Sequence, residues 1–179
     1  ISQELFEVCQ KEKEVLKVCF LGNPDKLRAS FIEALAEIGI EIDVYGNDWN
    51  NYINHDNITI FSPVYGDDQW KTLRKYRVQL NLMRPHNLDS HNMRTFEIPG
   101  IGGIQLAPET KEHRLFFEAD KEIFLYNNVE ECVDKINFLL SLTTEQTNQY
   151  RTHTREICLK NKHSYKDRAL QVLKVLEKI

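Results

Sequence analysis

The chain has 179 residues, 41% hydrophobic and 28% charged, with a formal net charge of -4. That length suits one domain with a sizeable core. It carries no basic excess for nucleic acid, no basic tract for an anionic membrane, and no apolar run near the roughly 18 residues of a membrane span.

The chain opens "ISQELF", with neither an initiator Met nor a signal-peptide pattern, and reads as a processed chain or an expressed fragment. Residues 2–16 predict a charged helix or linker with a thin apolar stripe of Leu5, Val8 and Leu16. "KVCFLGN" (17–23) is a buried strand that stops at Gly22-Asn23, and "PDKLRASFIEALAEIG" (24–39) is a helix opened by Pro24 and closed by Gly39. "EIDVYG" (41–46) and "ITIF" (58–61) are strands, separated by the most polar stretch of the chain. The pattern then predicts a helix over 68–78 and a strand over 79–83. Next come a helix capped by Ser90, a strand over 103–108, a helix over 111–119 and a strand over 122–127. Three helices complete the chain, over 128–142, 144–161 and 164–179, the last opened by Ser164. Cys9, Cys19, Cys132 and Cys158 lie far apart without a CxxC, and read as reduced, buried thiols of a cytoplasmic protein.

Strands alternating with helices predict an α/β fold: a Rossmann-like, doubly wound parallel sheet of about six strands with helices on both faces. Such sheets bind ligands outside the carboxyl ends of their strands. Two stretches meet that condition. In "FLGNPDKLR" a strand turns at Gly22-Asn23 and opens a helix, whose N–H groups favour an anion, with Lys26 and Arg28 adding charge. The same stretch also reads as a plain tight turn with two solvated basic residues. It is neither a GxGxxG fingerprint nor a P-loop.

The second stretch is "NLDSHNMRTFEIPGIGG" (87–103), which holds Asp89 and Glu97. On one continuous helix eight residues turn about 800° and rise about 12 Å, so the two carboxylates would not converge. Both face one cleft if Asp89 lies in the loop before the helix. The alternative has Asp89 helping to cap the helix while Glu97 pairs with Arg94 at i, i+3. The glycines precede a strand, so they end the helix and turn the chain tightly. His86, Asp89 and His91 lack the spacing of a helical zinc site, and no DxD is present, so no metal is expected.

From "QLNLMRPHNLDSHNMRTFEIPGIGGIQLAPETKEHRLFFEADKEIFLYNNVEECVDKINFLL" to "HSYKDR", the chain resembles the CgeB-like, spore-maturation-type glycosyltransferases. Asn81, Arg94, "FEIPGIGG" and the early "FIEALAEIGIEIDVYG" carry the likeness, which spans roughly residues 17 to 175. The resemblance implies the C-terminal, donor-binding half of a GT-B enzyme of the group 1 superfamily, over 17–179, with residues 1–16 as a leading helix or linker. It implies a hexosyltransferase that binds a nucleotide-diphosphate sugar without a metal or other cofactor.

It also implies site residues. Asp89 and Glu97 match an EX7E pair, with Asp in place of the first Glu. Glu97 corresponds to the acid on the ribose hydroxyls, and Asp89 to the catalytic acid near the donor sugar. Arg28 corresponds to the basic residue on the diphosphate, and Gly22 and Asn23 of the same turn are expected to bind the nucleotide sugar. Arg94 belongs to the "R.FE" pattern, in a structural or phosphate-facing role. The EX7E likeness implies retention of anomeric configuration. The acceptor, a glycan, protein or small molecule, would bind an N-terminal half that these residues do not contain. The last helix, with Leu170, Leu173 and Leu176, is expected to expose an apolar stripe and favour self-association. Two other readings remain open on the same fold: a non-catalytic nucleotide-binding or interaction module, and a GT-B-type sugar epimerase.

Overall fold

The computed structural model describes residues 1–177. Six parallel strands form one sheet: β1 (Val15–Leu21), β2 (Ile42–Tyr45), β3 (Ile58–Phe61), β4 (Tyr76–Leu80), β5 (Gln105–Pro108) and β6 (Phe124–Tyr126), in the order β3-β2-β1-β4-β5-β6. Between and after them run α1 (Gln3–Gln10), α2 (Lys26–Glu37), α3 (Gly66–Lys75), α4 (Arg94–Gly100), α5 (Lys111–Phe116), α6 (Val129–Ser141), α7 (Thr144–Lys160) and α8 (Tyr165–Leu176). This is the doubly wound architecture expected from the alternation. Its topological switch point lies between β1 and β4, where Phe20 pairs with Leu80.

The central strands are apolar on both faces because both are covered. Val18 and Phe20 pack with Ile32 and Leu35 of α2 and Ile136 and Leu139 of α6. Cys19 and Leu21 point the other way, toward Cys9 of α1, Leu73 of α3, Ile98 of α4 and Ile101 at its end. Ile98 and Ile101 are fully buried, and removing each from water contributes about 1.5–3 kcal/mol to holding α4 on the sheet. All four cysteines are free and buried, as expected.

Helix ends are specified locally. Asp25 caps α2 by accepting from the Arg28 N–H at 3.0 Å. Gly39 and Gly102, at φ 96° and 72°, take the left-handed position that ends α2 and α4. After α4, Gly102 N–H donates to Pro99 O and Gly103 N–H to Ile98 O, so the glycine run turns the chain from helix into β5.

Several boundaries differ from the sequence reading. β4 starts three residues before the predicted strand, because Tyr76, Arg77 and Val78 are buried strand residues, not the end of an exposed helix. α1 ends at Gln10, and Leu16 belongs to β1 with its side chain exposed. Ser90 does not cap α4. The chain makes a short turn at Pro85–Asn87 and the helix begins later, so Asn92 and Thr95 cap it reciprocally while Ser90 donates to Glu112 at 2.6 Å. On α8, Leu170, Leu173 and Leu176 are exposed. Among the described residues, no helix is long and apolar enough to cross a membrane.

Candidate functional site

At the switch point two chain segments leave the sheet side by side. The first is the β1–α2 turn. Gly22 N–H continues the ladder to Tyr45 O at 2.9 Å, and its carbonyl accepts from the Trp49 indole at 2.9 Å. The Asn23 side-chain oxygen accepts from Asn47 N–H at 3.0 Å, tying this turn to the one after β2. The second is the segment leaving β4, Asn81 to Arg84. Arg28 joins the two: its guanidinium donates to Asn23 O at 3.1 Å and to Leu82 O at 2.7 Å, and lies 5.3 Å from the Phe20 ring centre. Burial, reinforced by the charge of Arg84, pulls its pKa down to about 10, against the opposing pull of Asp25. Arg28 is thus charged at neutral pH, with much of its donor capacity committed to backbone carbonyls. Arg84, 3.9 Å from Asp25 and 42% exposed at its side chain, is the more accessible guanidinium at this lip.

A buried polar network fixes the other side of the same segment. Asn92 donates to the Asn81 side chain at 2.7 Å, and Asn81 donates to Thr95 and to Gln105, both at 3.3 Å. His113 Nδ1 lies 2.9 Å from Pro108 O, which can only accept, so Nδ1 carries the proton. Nε2 is then the acceptor for the Thr95 hydroxyl, 3.0 Å away. This is a neutral imidazole, and burial lowers its pKa further. The start of α4 is therefore held from the segment after β4 and from α5, while Gln105 of β5 braces Asn81.

The predicted residues fall into groups. Gly22, Asn23 and Arg28 come together at the β1–α2 turn. Arg94 and Glu97 form an ion pair on α4, the i, i+3 pairing that spacing allowed. Asp89 lies in the exposed turn before α4, without a hydrogen bond or ion pair among the described residues. Glu97 lines a cleft of about 650 Å³ walled by Met93, Phe96, Phe116, His163 and Tyr165. Gly22, Asn23, Arg28 and Asp89 do not line it. Beside it, Glu112 accepts from both Ser90 and His91, and the Ser90 hydroxyl, then His91, hold its carboxyl below the usual range. Both partners bind one carboxylate, so the trio is not a hydrolase relay. Among the described residues no group of His, Cys, Asp and Glu is arranged to hold a metal.

Sequence reasoning missed Arg84, Asn92, Thr95, Gln105 and His113. Asn-x-x-Thr at 92–95 was a readable capping pattern, and Gln105 stood out as a polar residue opening an apolar run. Nothing local marked His113, whose partners come from other elements.

The strand order, the switch-point crevice and the helices on both faces define a Rossmann-like domain of the GT-B glycosyltransferase kind. HepE from Anabaena, solved in complex with UDP-glucose, is similar with a TM-score of 0.72 at 12% identity, over 100% of this chain and 54% of that one. A glycosyltransferase from Rickettsia africae ESF-5 gives 0.71 at 13%, over 99% and 52%. A T4 phage BGT mutant in complex with UDP-glucose gives 0.65 at 17%, over 83% and 44%. The chain thus spans about half or less of the length of these structures. No curated protein matches it in sequence. The glycosyl transferase-like family model matches residues 28–174, and the chain belongs to that family.

Proposed function

We propose that this chain is the donor-binding half of a glycosyltransferase, which holds a nucleotide-diphosphate sugar in the crevice beyond β1 and β4 while another half of the protein holds the acceptor. The observation that carries this reading is the family match, laid over a doubly wound sheet whose switch point opens between those two strands. UDP-glucose in two similar structures supports a nucleotide sugar as the ligand. Within the family we assign the chain to the CgeB-like, hexosyl-transferring members, on the run that holds Asn81, Arg94 and "FEIPGIGG".

The chemistry follows from the groups present. As the glycosidic bond breaks, negative charge grows on the departing diphosphate and needs fixed positive charge close by. Arg28 supplies charge and, through Asn23 O and Leu82 O, holds the two crevice segments at a set separation. Gly22 and Asn23 offer backbone at the same turn, and Arg84 adds exposed donors. Glu97, oriented by Arg94, accepts from the ribose diol, since an ionised carboxylate has acceptor sites for two hydroxyls. Asp89, on the exposed turn before α4, faces the donor sugar once substrate is bound. No metal takes part.

The test is a thermal-unfolding titration with UDP, GDP, ADP, CMP and TDP, repeated on Glu97→Ala and with EDTA. A ligand at about 100 times its Kd stabilises by about 2.7 kcal/mol, a shift of about 5–10 °C at this size. One diphosphate is expected to stabilise wild type strongly, Glu97→Ala weakly, and to be indifferent to EDTA. An equal shift in Glu97→Ala removes the ribose assignment, and a large loss with EDTA removes the metal-free one.

A further inference from the structure

At the amino ends of the same strands lies a second cluster of buried charge that the donor site does not use. Arg77, 2% exposed, donates to both oxygens of Glu14, at 3.0 and 2.7 Å, and to Leu139 O and Leu142 O at 3.1 and 2.7 Å. Arg151 pairs with Glu14 at 2.9 Å and donates to Tyr76 O at 2.8 Å. Arg74, in the last turn of α3 and 8% exposed, has no carboxylate within ion-pair distance and no hydrogen-bond acceptor among the described residues. Two guanidinium groups therefore share one carboxylate, and the third has none within reach.

The imbalance is physical, not only formal. The Nε–H groups of Arg74 and Arg151 are both shielded from solvent and have no partner. Buried donors without acceptors are rare, and each calls for a water or an ion. Arg151 is pulled down to about 9, first by burial and next by the charge of Arg74, so the two cations repel each other. Burial also lowers Arg74, and Glu14 only partly offsets it. The terminal nitrogens of Arg74 are not sealed in like its Nε, which leaves an approach from solvent. Planar guanidinium groups with free N–H donors match the geometry of a tetrahedral oxyanion.

We propose that Arg74 and Arg151, backed by Arg77, form a site for a small inorganic oxyanion of the phosphate or sulfate class, at the end of the sheet opposite the nucleotide crevice. The anion completes the charge balance that Glu14 begins, and ties α3 to α7. The proposal is independent of the glycosyltransferase reading.

The test is thermal unfolding in phosphate, in sulfate, and in chloride at matched ionic strength, on wild type, Arg74→Gln and Glu97→Ala. Wild type and Glu97→Ala are expected to rise saturably with either oxyanion, by about 3–6 °C at ten times Kd, and not with chloride. Arg74→Gln is expected to match or exceed wild type in chloride, because a buried unpaired charge is gone, and to be flat with oxyanion. This crossing of order separates a binding role from a merely structural one. A wild-type response that chloride reproduces, no response at all, or a response that Arg74→Gln keeps overturns the proposal.

Discussion

β1 and β4 lie side by side, and the two ends of this pair treat buried arginine in opposite ways. At the amino end, Glu14 accepts two N–H bonds from Arg77 and forms an ion pair with Arg151, so the charges meet at ion-pair distance. At the carboxyl end, Arg28 spends its donors on two backbone carbonyls and meets Asp25 only at 3.6 Å. At the amino end the carboxylate cancels one positive charge and orients the arginine it binds. Carbonyls fix its position but leave its charge uncancelled. The first arrangement locks α7 onto the sheet, whereas the second holds open a crevice with residual positive potential, the property a diphosphate needs.

The comparison can be broken first at its strongest point. Glu14→Gln strands Arg77 and Arg151 as buried charges, with an expected loss of about 3–5 kcal/mol in urea unfolding. A loss below about 1 kcal/mol would mean that solvent already screens the cluster. Arg28→Ala removes two charge-assisted bonds to carbonyls and is expected to cost about 2–3 kcal/mol. It should also weaken UDP more than uridine in calorimetric titration; equal weakening would confine Arg28 to a structural role. Glu97→Ala loses only the helical pair with Arg94, so its stability should fall by less than about 0.5 kcal/mol while nucleotide affinity falls roughly tenfold or more. Large losses of both would mean that the carboxylate supports α4 more than it binds ligand.

A pH series sharpens the same contrast with the smallest effect. His113 is buried neutral and its folded pKa lies below the ordinary 6.5. Its contribution is whole above pH 6.5 and is lost as pH falls from there through the folded value, because the unfolded chain takes up the proton first. Glu14 acts later: burial pushes its carboxyl up, but Arg77 and Arg151 outweigh this and hold it below 4.5. Its contribution therefore survives to lower pH and fades as pH falls through that depressed value. Urea midpoints should thus decline in two stages. His113→Gln is expected to flatten only the first, and a slope unchanged in that variant would exclude His113 as its source.

Much of this was legible in the sequence because it is locally encoded. Alternating apolar runs and amphipathic stretches specify the parallel sheet and its order of elements, since each pattern depends on residues within a few positions of one another. Pro24 near the start of α2, and the glycines after α2 and α4, announce helix ends for the same reason. Candidate positions Gly22, Asn23, Arg28 and Glu97 could be named because turns beyond parallel strands are where such sheets bind.

Only tertiary structure decided what those residues touch. Arg28 reaches Leu82, 54 positions away, and Arg77 reaches Leu142, 65 positions away. β4 began earlier than its charges suggested because those charges find buried partners across the fold. His113 entered the network around α4 through Thr95, from a different helix. Polar side chains in a core are fixed by whichever distant donor or acceptor the topology brings to them, and no local pattern in the sequence carries that information.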